Sequence, residues 1–362
     1  MKKRIALLLA FLLLLSALAC GAKDEPAPDA KETFVFTDSV GREVELPINV
    51  TKVAVTGPLA QIAVFALCPD KLVGVAQKWD KTAEKYLAAE FYALPELGQL
   101  YGGKGELNLE TLLASGAEVV IDVGEPKGSI KEDLDALSEQ TGIPFVHITA
   151  TIDTMGDAYR KLGELLHMPA EAEALAAYCD QTYAKIKALA DSVEKVNLLY
   201  ITGENGLNVI AKGSYHAEII DLLSNNLAVV DSPSSKGTGN EVDMEQLYLW
   251  DPDVILFAPG SVYASVGGDP VWGELQAIRN GTYYEVPFGP YNWMGFPPSV
   301  QRYLGMLWMA KLLYPNAADY DLRAEVQTYF RLFYHCALSD ADYEELVKNS
   351  IGAQREALFP AA

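Results

Sequence analysis

Short unbroken apolar runs, each ended within a few positions by glycine or proline, alternate along most of this chain with segments whose apolar residues recur every three or four positions. In the first half the runs fall at 53–55, 72–76, 118–123 and 145–148. Strands that are apolar at every position are buried on both faces, which is the pattern of a parallel sheet covered by helices. The helical spacing between them predicts helices over 59–67, 107–114 and 130–141. The second half repeats the scheme, with runs at 198–201, 208–211, 253–257 and 283–286 and a helix over 217–223.

Between the two halves, 154–194 is helical in period throughout, with Pro169 placed as the first residue of a second helix. That helix, about 25 residues from Ala170, spans roughly 37 Å at 1.5 Å per residue, long enough to act as a strut between two lobes. After Pro297 the pattern is helical again, most clearly over 303–313 and 322–334.

The N-terminus reads as an export segment. Lys2, Lys3 and Arg4 precede an apolar run over 5–15, and small residues lead to Cys20. The run is too short to span a bilayer. Ala17-Leu18-Ala19-Cys20 resembles the lipobox of bacterial lipoproteins, with leucine one place later than usual, which implies acylation of Cys20 and a membrane anchor. The Pro-containing polar stretch up to 33 then serves as a tether. The chain carries 28 Lys and Arg against 49 Asp and Glu. A charge of −21 argues against nucleic acid as a partner. Besides Cys20, Cys68, Cys179 and Cys336 remain, an odd number without a CxxC, so no disulfide framework is expected.

Several stretches together resemble the periplasmic binding proteins of ABC importers for iron–siderophore, haem and cobalamin ligands. Residues 36–47 are similar to that family's opening hairpin. Leu107-Asn108-Leu109-Glu110 followed by 117–121 resembles a block that recurs as 242–247 followed by 251–255, and 272–287 resembles the closing stretch. The similarity covers 34–315. It implies an α/β fold of two lobes, each with a mostly parallel sheet flanked by helices, joined by a long rigid helix. The expected division is an export segment (1–19), a lipid-anchored tether (20–33), an N-terminal lobe (34–153), an interlobe helical segment (154–194), a C-terminal lobe (195–315) and a C-terminal helical extension (316–362). It further implies that Glu110 and Glu245, one on each lobe, dock onto a permease dimer served by ATPase subunits. Read without the resemblance, each is a solvated glutamate favoured at a helix start.

In a parallel α/β sheet ligands sit beyond the carboxyl ends of the strands. From the first lobe this places Gly57, Lys78, Trp79, Gly102 and Glu125 at the cleft, and from the second Tyr215, Lys236, Tyr291, Asn292 and Trp293. The aromatic share of these loops suits a large, partly flat metal chelate or corrinoid, with Tyr291, Asn292 and Trp293 at the position where the family contacts its ligand. An oxyanion or nickel-chelate site is the alternative. An oxyanion would favour hydroxyls and backbone N–H groups around Thr56, Gly57, Ser214 and Ser235. A bare-metal site would need His147 and His216 with Glu125, but the four histidines are scattered and none stands in HxxxH spacing. No cofactor is expected. GxSxG, Walker A and a complete GxGxxG are all absent, and a surface hydrolase or chelatase-like enzyme on the same architecture is the rival from another class.

Overall fold

The computed structural model describes residues 32–101 and 106–351; the export segment, Cys20, most of the tether, Gly102 and the chain after 351 lie outside them. β1 (Thr33–Thr37) and β2 (Glu43–Pro47) form the expected two-stranded hairpin. Its turn is tied by buried Asp38, whose carboxylate accepts the N–H groups of Val40 and Arg42 and pairs with the Arg42 guanidinium at 3.1 Å.

The first lobe is built on β3 (Val53–Val55), β4 (Val119–Gly124) and β5 (Phe145–Thr149), parallel and in that order. The helices Pro58–Leu67 and Ile130–Thr141 fall where the periodicity puts them. The helix Leu109–Ser115 starts later than expected, because the Asn108 side chain accepts the Thr111 N–H and caps it. The strand expected over 72–76 shrinks to two single bridges, Leu72 with Val53 and Val75 with Glu96. Val75 instead gives its backbone groups to a loop: its N–H donates to Pro95 and its carbonyl accepts from Leu97.

The second sheet runs β11 (Tyr283–Glu285), β10 (Val254–Phe257), β6 (Asn197–Thr202), β7 (Asn208–Val209), β9 (Asn240–Glu241), with β8 (Asn225–Asn226) also paired to β6. β11, β10, β6 and β8 are parallel. β7 runs antiparallel to both of its neighbours, β6 and β9, which corrects the reading of 208–211 as one more buried parallel strand. The cause is a short turn after β6 through Gly203 (φ +79°) and Gly206 (φ +69°), which sends the chain straight back along its own strand.

The interlobe segment is a helix pair, Met155–Leu166 and Pro169–Ser192, with Pro169 in the first turn as expected. The second helix has 24 residues, about 36 Å. Its buried stripe of Ala172, Leu175, Ala176, Cys179, Ile186 and Leu189 carries the core between the lobes. From Phe34 to Ile351 the described residues form one compact unit. One core runs from β3 through the helix pair to Tyr200 and Leu256 of the second sheet and on into Arg302–Leu313, Leu322–Phe333 and Asp340–Val347. The C-terminal helices, expected as an extension, are therefore structural. Phe330 meets Tyr86 of the first lobe at 5.1 Å, and Tyr329 and Phe333 pack on Tyr178 of the long helix. Asn349 then bonds β11 of the second sheet through both backbone and side chain.

Candidate functional site

The loops beyond the strand ends of the two sheets meet between the lobes. On the first-lobe side, Gly57 opens the helix Pro58–Leu67 with no side chain capping it, so the first-turn N–H groups of Leu59 and Ala60 have no partner within the helix. Leu59 packs under Gly124 at the end of β4, and its carbonyl accepts the Ser299 hydroxyl at 3.1 Å. Glu125 and Lys127 follow β4, both half-exposed and 3.4 Å apart.

On the second-lobe side stand Tyr215 and His216. The Tyr215 hydroxyl donates across the lobes to the Ala150 carbonyl at 2.6 Å. Its ring lies under the Arg302 guanidinium, 4.9 Å away, and Arg302 is itself 1% exposed and ion-paired with Glu218. Burial raises the Glu218 carboxyl above its usual range although Arg302 pulls it down, and burial likewise raises the Tyr215 phenol. His216 Nδ1 donates to the Gly295 carbonyl at 3.1 Å. Gly237 faces it: a Cβ there would fall 2.2 Å from the Phe296 ring and 3.2 Å from His216, so a side chain at 237 would push the Phe296 ring aside.

The expected aromatic walls do not form. Trp293 is fully buried and donates its indole N–H to the Gly289 carbonyl. Asn292 is buried and bonds the Tyr200 hydroxyl at 2.9 Å and the Met294 N–H at 2.8 Å. Tyr291 is buried, its hydroxyl accepting from Gln61 at 3.1 Å, and it packs on Trp79, which in turn donates to Phe91. Tyr291 and Trp79 hold the strap over 287–299 against the first lobe, while Asn292 ties it to β6 of the second and Trp293 closes the strap on itself. The physical reason is that the strap crosses the interior between the lobes, where large rings fill core volume. The aromatic it exposes is Phe296, 57% accessible. Lys78 and Lys236 are exposed in flanking loops, Gly57 is half-buried, and Gly102 lies outside the described residues. His147 is also corrected: it is wholly buried, with Nδ1 2.6 Å from the Asp122 carboxylate and Nε2 3.2 Å from the Thr149 hydroxyl, and Thr56 is bonded to the same carboxylate. It is not available as a cleft ligand, and the described residues hold no group of three or more His, Cys, Asp or Glu suited to a metal ion.

A family model described as periplasmic binding protein matches residues 54–289. The chain belongs to the periplasmic binding protein family. An ABC transporter solute binding protein from Sulfurospirillum deleyianum matches at 27% identity and TM-score 0.79, covering 87% of this chain and 99% of that one. A periplasmic solute binding protein from Veillonella parvula matches at 26% and 0.73, covering 88% and 98%. A curated relative, the molybdate-binding protein MolA of Haemophilus influenzae, is 26% identical over 332 residues, 83% of this chain and 90% of its own.

This periplasmic binding protein is thus an extracytoplasmic solute-binding component of an ABC transporter. Among the described residues no helix is long and apolar enough to cross a membrane. Sequence reading missed Lys127, Phe296, Ser299 and Arg302. Lys127 was legible, two positions beyond Glu125 in a loop already assigned to the cleft; nothing in the pattern marked Arg302, since a buried arginine looks like a surface one. A cavity of about 630 Å³ lies between first-lobe residues 81–86, the ends of β10 and β11 at Pro259 and 285–288, and 345–350. Its lysines and glutamates are balanced, with Lys85 paired to Asp342 and Lys348 to Glu345.

Proposed function

We propose that this protein captures a small oxyanion of the molybdate class and delivers it to an ABC permease dimer and its ATPase subunits. The observation that carries this reading is the make-up of the cleft: an uncapped helix start at Gly57–Leu59, with Lys127 and His216 nearby, in place of aromatic walls. A free helix N-terminus favours negative charge and offers backbone N–H groups to it. A siderophore, haem or corrinoid needs broad ring surface, and Trp79, Tyr291 and Trp293 have none to give. The similarity over 332 residues to a protein named for molybdate binding supports the same choice. Glu110 and Glu245 belong to this reading as the docking contacts, and acylated Cys20 as its anchor.

Equilibrium dialysis of the purified protein against molybdate, tungstate, sulfate, phosphate, haem and a ferric catecholate tests it. Saturable binding of molybdate or tungstate is expected. Binding of the coloured chelates with no oxyanion bound would restore the chelate reading.

A further inference from the structure

A dianion entering this cleft approaches a chain of net charge −21, and a net charge of that size repels anions at long range. Compensation must be local. Arg302 is committed to Glu218, and Lys127 is partly offset by Glu125 at 3.4 Å.

His216 stands differently. Its Nδ1 carries the hydrogen donated to Gly295, because a carbonyl can only accept. The backbone of Ser235 lies on the ring as well and also favours its charged form. A neutral imidazole has one N–H, whereas the imidazolium has two, so with Nδ1 committed to Gly295 a proton gained at Nε2 gives the ring a second donor. In the absence of ligand, burial holds the His216 pKa below its ordinary value, and the positive charges of Arg302 and Lys127 add to that. Arg302 and Lys127 act on it electrostatically, each paired with a carboxylate, Glu218 and Glu125, and the Tyr215 ring lies 6.3 Å away. An anion between Lys127 and His216 removes the repulsion that Lys127 imposes.

We infer that His216 takes up a proton from solvent at Nε2 when the oxyanion binds, and that the charged ring and Lys127 hold the anion from opposite lobes. This rests on the oxyanion reading of the same cleft. The consequence is capture that strengthens as pH falls, because proton and anion binding are linked.

Calorimetry with molybdate at about pH 6 and about pH 8, in buffers of different ionisation enthalpy, tests it. Affinity is expected to fall about tenfold per unit above the His216 pKa, with about one proton taken up per anion at the higher pH. His216→Gln keeps a donor for Gly295 and should lose both the proton uptake and the pH dependence while melting as the parent does. Lys127→Ala should weaken binding at both pH values. Molybdate binding without proton uptake, or an unchanged pH profile in His216→Gln, overturns the inference and leaves the oxyanion reading standing. No molybdate or tungstate binding at either pH overturns both.

Discussion

Arg302 shows how single residues divide their work in this molecule. Its guanidinium is buried, paired with Glu218 and stacked over Tyr215, whose hydroxyl reaches the other lobe. A buried ion pair contributes little against a hydrophobic replacement of the pair, but losing one partner strands the other charge. Arg302→Met should therefore cost about 3–5 kcal/mol of stability, while Arg302→Met with Glu218→Leu should recover most of it. Chemical denaturation of the two proteins checks this, and a double variant no more stable than the single one would refute the coupling. Trp293 gives the complementary case. Enclosed on all sides and bonded to Gly289, it should behave as core: Trp293→Ala is expected to lose about 3–5 kcal/mol of stability with ligand affinity unchanged where the variant remains folded. Weakened binding without loss of stability would return the ring to the site. This is also where sequence reading fails. Tyr291, Asn292 and Trp293 occupy a loop that borders the cleft, and a loop's sequence position does not tell which of its side chains point inward. Phe296, three residues on, carries the same chemistry and points the other way.

Among the elements, the ones legible beforehand are those whose burial is complete. β4, β5, β6 and β10 are apolar runs with nearly every residue covered, so pattern and environment coincide. β7 and β9, two residues each, are too short to carry a period and owe their existence to a turn and a partner strand. The short helices Leu109–Ser115 and Met244–Trp250 carry the two glutamates of the proposed docking surface. Each is capped by its own Asn108 or Asp243 side chain, at 2.9 and 2.8 Å, which occupies a first-turn N–H and leaves Glu110 and Glu245 exposed. Each also exposes a leucine a turn further on, Leu113 at 51% and Leu249 at 79%. Two such helices, one per lobe, suit a partner that repeats by two-fold symmetry, where paired charges fix orientation. Glu110→Arg with Glu245→Arg should abolish uptake in cells while leaving ligand affinity and melting temperature as in the parent. Normal uptake by the double variant would remove both residues from the docking surface.

At the scale of the whole molecule, the lobes are joined more than once. The 24-residue helix Pro169–Ser192 is the connection the periodicity predicted. The strap over 287–299 is a second, since Tyr291 bonds Gln61 and Ser299 bonds Leu59 of the first lobe. The C-terminal helices are a third: they pack on Tyr86 in the first lobe and bond Glu285 in the second through Asn349. The core is continuous through all three, and packed interiors transmit displacement instead of absorbing it. Moving one lobe as a rigid body would shear these contacts together, so a cleft formed before the ligand arrives is favoured over one assembled by hinge closure. Spin labels at Glu132 and Glu241, exposed on the first and second lobes, should report an interlobe distance that changes by less than about 2 Å on saturation with ligand. Deleting the chain from 340 onward removes the Asn349 tie and should broaden that distance distribution while the Pro169–Ser192 helix stays folded. A shift of many ångströms in the intact protein would mean that the strap and the C-terminal helices slide, and that the continuous core does not lock the lobes.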